Sequence, residues 1–129
     1  MFILDKQSGK PMYEQVIEGF KHLVLTDALR SNEQIPSVRS LAIELSINPN
    51  TIQKAYTVLE QEGITYSSPG IGRFIHQDAK KILRKEMSEQ SSEFKRMLRD
   101  LALANVSKQE ILEMVDSVFI TTNKGGSDD

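Results

Sequence analysis

The amino-acid sequence predicts a mostly α fold with a small β-hairpin, and three observations lead to that prediction. Apolar residues recur at helical spacing through most of the chain, and only two residues separate two of the predicted helices. Directly after this pair, two β-prone segments flank a Pro-Gly sequence, which indicates a hairpin. We expect an N-terminal winged helix-turn-helix domain over residues 1–77, a two-helix C-terminal region over residues 78–122 and a disordered tail over residues 123–129.

The first predicted helix runs from Pro11 to about Leu25. Proline suits the first turn of a helix, because its missing N–H is not needed there. The apolar residues that follow at helical spacing are Tyr13, Val16, Ile17, Phe20, Leu23 and Val24. The polar sequence TDALRSNEQ then predicts a turn-rich connection, in which Asp27 and Asn32 are residue types that tolerate left-handed backbone.

The second and third predicted helices form the helix-turn-helix. Ser37 is placed to cap the second helix, and Asn48 followed by Pro49 gives the same start signal for the third, which Gly63 ends. The apolar positions are Val38, Leu41, Ala42 and Leu45 in the second helix and Ile52, Ala55, Tyr56 and Leu59 in the third. The two-residue connection is too short for anything but a sharp corner.

After the third helix the pattern becomes strand-like. The chain reads ITYSS, then PGIG, then RFIH, so two β-prone segments surround a Pro-Gly and a second glycine. The first role expected of Gly70 and Gly72 is to form the turn between these two segments. A hairpin that directly follows a helix-turn-helix is a wing.

One long charged helix is predicted from Asp78 to about Ala104, and Ser107 with Glu110 forms a capping box for a last helix. The long helix has coiled-coil spacing at Leu83, Met87, Gln90, Phe94, Met97 and Leu101. A lone pair of helices has little core of its own, so we expect a homodimer. Its predicted contacts are Leu83, Met87, Phe94, Met97, Leu101, Ile111, Val115 and Phe119. The alternative is that the two helices pack only on each other within one chain.

Composition excludes several classes of protein. The chain is 39% hydrophobic and 26% charged, and no apolar run approaches the roughly 20 residues of a membrane span. The first ten residues, MFILDKQSGK, lack the apolar stretch of a secretory signal. Cysteine is absent, which excludes disulfides and thiolate metal sites. These features predict a cytoplasmic protein without a membrane partner.

The distribution of charge is more informative than its sum. A net charge of −2 argues mildly against a polyanionic partner, yet residues 45–59 contain no acid although Asp and Glu supply 18 of 129 residues. In a helix-turn-helix, the start of the second helix meets base edges in the major groove. The side chains there are Asn48, Asn50, Thr51, Gln53 and Lys54, with Arg39 on the preceding helix. Plain solvated surface is the alternative for these residues, and an ion pair with Glu44 or Glu62 for Arg39.

The motifs of residues 11–76 resemble the DNA-binding domain of the GntR family of bacterial transcription regulators. They are PMYEQV, IPSVRSLAIELSINPNTIQKAYTVLEQEG and PGIGRFI. The resemblance implies DNA contacts from Arg39, Asn48, Asn50, Thr51, Gln53 and Gly70, and Lys54 and Arg73 are added on physical grounds. Asp27 and Asn32 stand where the family usually has glycine, and Arg73 replaces a small hydroxyl residue. The short C-terminal part resembles the YtrA-like subfamily, which dimerises through two helices.

The expected function is therefore a sequence-specific regulator, a repressor that binds a pseudo-palindromic double-stranded DNA operator as a homodimer. The alternative is a winged-helix module that contacts protein alone. A small-molecule effector near residues 76–84 is left open by the sequence. No cofactor, metal or catalytic activity is expected, because His22 and His76 have no partner at a motif spacing and no P-loop, dinucleotide fingerprint or H-E-x-x-H is present.

Overall fold

A computed structural model describes the backbone of residues 3–127 and the side chains of residues 3–120. The elements are α1 (Met12–Leu25), β1 (Gln34–Ile35), α2 (Val38–Leu45), α3 (Pro49–Gln61), β2 (Thr65–Ser68), β3 (Gly72–Ile75), α4 (Ala79–Ser88), α5 (Ser91–Leu103) and α6 (Lys108–Ser127). The chain divides into two compact units between Glu86 and Met87, later than the predicted boundary after residue 77. The predicted mostly α fold with a small sheet is confirmed.

The first unit is built on one hydrophobic core beneath α1, α2 and α3. Its largest fully buried side chains are Tyr56, Phe20, Leu41, Ile52, Leu59, Ile64, Ile75, Leu83 and Val16. The rings of Phe20 and Tyr56 meet edge to face at 5.6 Å, which joins α1 to α3. The apolar stripes of all three predicted helices therefore face the same interior.

Local capping fixes both helices of the helix-turn-helix, as predicted. Ser37 Oγ accepts a hydrogen bond from the Ser40 N–H (3.1 Å), and Asn48 Oδ1 accepts one from the Asn50 N–H (2.8 Å). Between the helices, Ser46 has a left-handed φ of 55°, which turns the chain sharply. Gly63 follows α3 with a φ of +79°, the backbone for which glycine is suited.

The wing is part of a three-stranded antiparallel sheet with the order β1-β3-β2. The predicted hairpin of β2 and β3 is confirmed, with Tyr66 opposite Phe74 and Ser67 opposite Arg73. β1 was not predicted, and its two residues pair with the other edge of β3, where Ile35 lies opposite Arg73. The sheet places the wing against the helix-turn-helix rather than leaving it as a separate ribbon.

Helix α4 belongs to the first unit as far as Glu86. Its Ala79 and Leu83 are buried in the core. Lys21 of α1 forms ion pairs with Glu62 (3.0 Å) at the end of α3 and with Glu86 (3.3 Å) on α4. Burial alone would lower the pKa of Lys21, but the hydrogen bonds and charges of the two glutamates raise it overall. These contacts join the start of the C-terminal region to the helix-turn-helix.

The position of Leu83 corrects one prediction. The coiled-coil spacing placed this residue in the dimer seam, but its side chain has no exposed surface and packs among the core residues of the first unit. A side chain that is already covered within one chain is not available to a second copy. The proposed dimer surface therefore starts after Leu83.

The second unit contains α5 and α6. The single predicted helix over residues 78–104 is wrong, because the chain leaves the helical pattern between Ser88 and Ser91. The Gln90 N–H bonds to the Met87 carbonyl (3.1 Å), a tighter turn than the α-helix makes. Serine competes for backbone hydrogen bonds and favours helix ends, and the sequence SEQSS supplies three serines here.

A tight turn leads from α5 into α6. Asn105 has a left-handed φ of 64°, and Ser107 Oγ accepts a hydrogen bond from the Glu110 N–H (3.1 Å), which confirms the serine half of the predicted capping box. Helix α6 continues to Ser127, which contrasts with the disordered tail expected over residues 123–129. Residues 128 and 129 of that tail lie outside the described part of the chain.

Candidate DNA interface

The start of α3 presents polar side chains to solvent. Asn48, Asn50, Gln53 and Lys54 are exposed, and Thr51 is half-buried. The first turn of the helix contains no acid. The helix dipole gives this end a positive partial charge, which favours a phosphate group nearby, although the N–H groups of Asn50 and Thr51 are already bonded to Asn48. The structure thus brings together the residues that the sequence assigned to base reading.

Gln53 and Thr57 hold each other on successive turns of α3. The side-chain Nε2 of Gln53 donates to Thr57 Oγ1 (3.2 Å). Thr57 Oγ1 in turn donates to the backbone carbonyl oxygen of Gln53 (2.9 Å). This arrangement uses one amide N–H of Gln53, so its other N–H and its side-chain oxygen are left for a partner. A donor and an acceptor side by side are what an adenine edge requires.

Lys54 is oriented by an aromatic ring of α1. Its ammonium nitrogen lies 3.8 Å from the centre of the Tyr13 ring, a cation–π contact. Tyr13 itself is half-buried against the core, so the ring is fixed. The contact holds a positive charge beside the exposed end of α3 without neutralising it by a carboxylate.

Tyr56 fixes the angle between α2 and α3 from within the core. Its hydroxyl donates to the Pro36 carbonyl oxygen (2.7 Å), just before α2 begins. Burial raises the pKa of Tyr56, since the charged phenolate would lose its hydration. The Arg73 guanidinium carbon lies 5.3 Å from the centre of the same ring. Arg73 is therefore half-buried beside α3 rather than placed at the tip of the wing.

Arg39 is exposed on α2. One of the two carboxylates considered as its alternative partner, Glu62, is instead paired with Lys21 at 3.0 Å. Arg39 and Ile43 lie one turn apart on the same exposed side of α2. This side points away from the apolar stripe that faces the core. This position leaves a cation on the helix that precedes the recognition helix.

The tip of the wing is a tight turn. The Ile71 N–H bonds to the Ser68 carbonyl oxygen (3.0 Å) around Pro69 and Gly70, and Gly70 has a φ of +77°. These are the features of a type II turn, which needs a positive φ at its third residue. Gly70 is exposed at this tip.

Sequence reasoning missed two residues at this tip, Ile71 and Gln34. Ile71 is 68% exposed, and Gln34 Nε2 donates to its carbonyl oxygen (3.2 Å). An isoleucine between two glycines of a turn is a visible signal, because turns normally carry polar residues. Gln34 gave no signal, since its contact is with residues far along the chain.

The fold and this surface define a winged helix-turn-helix protein that binds DNA. The chain belongs to the gntR family: residues 12–75 match the family described as "Bacterial regulatory proteins, gntR family". It is 33% identical over 130 residues to the HTH-type transcriptional repressor YtrA of Bacillus subtilis (strain 168), with all of both chains covered. The protein is accordingly a DNA-binding transcription regulator.

Solved structures support the same conclusion. The transcriptional antiterminator from Listeria monocytogenes EGD-e has a TM-score of 0.73 and 32% identity, covering 92% of this chain and 89% of its own. The DNA-binding domain of AraR in complex with operator ORX1 has a TM-score of 0.51 and 26% identity, covering 57% of this chain and 92% of its own. The first unit of this chain thus shares its fold with a domain that was crystallised on DNA.

Among residues 3–127, none of the helices combines the length and apolar character needed to cross a membrane. Among the side chains of residues 3–120, His, Asp and Glu nowhere gather in a group of three or more that could hold a metal ion.

Asn48 has a structural role that is separable from DNA binding. Asn48→Ala is expected to lower the free energy of unfolding by about 1 kcal/mol, because the Asn50 N–H loses its acceptor. Asn48→Asp retains an acceptor oxygen and is the matched control for the cap. Urea denaturation followed by circular dichroism measures both. Equal stability of the alanine variant and the parent protein would contradict the capping role.

Proposed function

We propose that this protein is a transcriptional repressor that binds a pseudo-palindromic operator as a homodimer in the cytoplasm. The observation that carries the proposal is the exposed, acid-free start of α3, where Asn50 and Gln53 project beside a helix N-terminus. The name of its relative YtrA, a transcriptional repressor, supports the direction of regulation. A repressor of this kind acts by occupying promoter DNA.

Base reading is assigned to the amide side chains of α3. Asn and Gln pair in bidentate fashion with adenine, and the methyl group of Thr51 suits the thymine methyl. Asn48 contributes beside them, although its side-chain oxygen is already engaged as the cap. The preference expected of this surface is therefore for half-sites that contain A·T pairs in the major groove.

Phosphate contacts are assigned to three cations and to the wing. Arg39 is exposed on α2, Lys54 is exposed on α3, and Arg73 of β3 lies beside Tyr56. Gly70 at the tip allows close approach of its backbone to DNA because it carries no side chain. These contacts position the protein on the duplex and make its affinity depend on salt.

Dimerisation is assigned to the exposed apolar face of the second unit. Phe94 and Met97 of α5 are 53% and 54% exposed, and they line a groove of about 450 Å³ together with Met87. Of the remaining proposed contacts, Phe119 on α6 is exposed, whereas Leu101 on α5 and Ile111 and Val115 on α6 are half-buried. Large apolar side chains exposed together mark an interaction surface. A second copy of the chain is the proposed occupant.

Two-fold symmetry of the protein predicts two-fold symmetry of its target. A dimer presents two copies of α3, which read half-sites roughly 34–36 Å apart, or a multiple of that distance. Selection of bound sequences from random DNA is expected to return an inverted repeat. A single unrepeated site would contradict the proposed homodimer.

Two alanine variants separate the proposed phosphate and base contacts. Arg39→Ala is expected to reduce the slope of log affinity against log salt by about 1, and Gln53→Ala to weaken preference at one base pair by ~1–3 kcal/mol. Fluorescence anisotropy with labelled operator variants at several salt concentrations measures both. Lys108→Ala, an exposed cation of the second unit, is the control for loss of one charge.

The same titration distinguishes the alternative function. A winged-helix module that contacts protein alone would bind DNA without sequence preference or not at all. Binding that weakens steeply with salt and requires the selected sequence supports the repressor, because phosphate contacts release counterions. Binding of DNA by the parent protein without sequence preference would overturn the proposed repressor function.

A further inference from the structure

An aliphatic side chain stands at the point of the wing where a cation would be expected on electrostatic grounds. Ile71 is 68% exposed, although its neighbours in the turn are a glycine on either side. We propose that Ile71 enters the DNA minor groove and distinguishes A·T from G·C pairs by excluding the guanine amino group. This inference rests on the proposed operator binding and adds a second reading element to α3.

The backbone of Ile71 is held in one conformation before DNA is present. Its N–H bonds to the Ser68 carbonyl oxygen (3.0 Å), and its own carbonyl oxygen accepts a hydrogen bond from Gln34 Nε2 (3.2 Å). A Cβ atom added at Gly72 would lie 2.5 Å from that same Gln34 nitrogen, so a larger residue there would displace Gln34 from the contact. Isoleucine is also stiff at χ1. Little conformational freedom is left to lose on binding.

The position of the tip is coupled to the recognition helix. Arg73, two residues after Ile71, lies 5.3 Å from the ring of Tyr56 in α3. β3 is also paired with β1, whose last residue, Ile35, lies just before the loop that leads into α2. The wing therefore has a fixed place beside the helix-turn-helix, and DNA bound by α3 lies beside the wing.

The chemistry of the minor groove determines what an isoleucine can distinguish there. A·T pairs present only acceptors on the groove floor, whereas G·C pairs add the N2 amino group of guanine. This group projects into the space that the Ile71 side chain would fill. It is also a donor that an aliphatic side chain cannot satisfy, and an unpaired buried donor is unfavourable. Isoleucine is among the apolar residues that proteins insert into the minor groove.

The test uses the full-length protein and an operator selected from random DNA. Hydroxyl-radical footprints of the parent protein and of Ile71→Ser locate the base pair beneath the wing. At that pair, A·T, G·C and inosine·C are compared by fluorescence anisotropy, because the base of inosine is guanine without its 2-amino group. The parent protein is expected to bind the G·C operator about fivefold or more weakly than the A·T operator, and inosine·C is expected to restore affinity.

Variants at the same position show whether the side chain is responsible. Ile71→Leu is expected to retain the G·C penalty, and Ile71→Ser to reduce it below about twofold. Ile3→Ser changes another exposed isoleucine, which lies outside the helix-turn-helix and the wing, and is expected to leave the penalty unchanged.

Three results would overturn the assignment of Ile71. They are equal affinity of the parent protein for A·T and G·C, a penalty that inosine does not relieve, and a penalty that survives in Ile71→Ser. Failure of the parent protein to select any operator would remove the proposed function, and this inference with it. A selected operator without minor-groove discrimination would remove only the role of Ile71.

Discussion

Leu83→Ala is expected to lower the free energy of unfolding by roughly 2–5 kcal/mol, a large share of the stability of a small domain. Leu83 is fully buried among the core residues of the first unit, so the truncation leaves a cavity beneath α4. Urea denaturation followed by circular dichroism measures the loss. Leu103→Ala is the matched control, because that leucine is 83% exposed and its truncation is expected to change stability by less than about 0.5 kcal/mol.

A monomeric background distinguishes a core role of Leu83 from a role between subunits. The same variant is made in a protein that also carries Phe94→Glu and Met97→Glu, which are expected to prevent dimerisation. A core residue stabilises each chain by itself, so its truncation has the same effect in both backgrounds. If Leu83→Ala no longer lowered the free energy of unfolding in the monomeric background, Leu83 would be a contact between subunits.

The helix-turn-helix was predictable because its signals are local in sequence. Asn48 caps α3 through a bond to Asn50, two residues away, and Ser37 caps α2 through Ser40, three residues away. The candidate DNA face was predictable for the same reason, since its exposed polar residues lie within one short helix. Patterns of this kind need no knowledge of what packs against the helix.

Contacts between distant parts of the chain were not predictable in the same way. Gln34 reaches Ile71 across 37 residues and Tyr56 reaches Pro36 across 20, so neither contact leaves a periodic signal. β1 has only two residues, too few to show an alternating pattern, and exists because β3 offers it an edge. The rigid wing tip and the fixed angle between α2 and α3 therefore required the structure.

Leu83 shows a further limit of periodicity. Apolar residues spaced four and three apart face one side of a helix whether that side meets its own core or a second chain. The sequence favoured one continuous seam from Leu83 to Leu101. In the structure, the interruption after Ser88 separates Leu83, which packs on the first unit, from Phe94 and Met97 on α5. The spacing correctly placed Leu83 on the apolar side of a helix, but that side packs against the core of its own chain and not against a second chain.

The combined variant Phe94→Glu/Met97→Glu is expected to be monomeric and to bind its full operator about 100-fold or more weakly. Two linked reading units gain affinity because the second half-site is bound at high effective concentration, and a monomer loses that gain. Light scattering measures the mass, and fluorescence anisotropy measures binding to the full operator and to one half-site.

Affinity for a single half-site separates loss of dimerisation from damage to the reading surface. Phe94 and Met97 lie in the second unit, whereas Asn50 and Gln53 lie in the first, so half-site affinity is expected to stay unchanged. Lys95→Glu is the matched control, since it makes the same net charge change on α5 away from the apolar positions. A double variant that remains dimeric would place the subunit contact on other residues, with α6 the next surface to test.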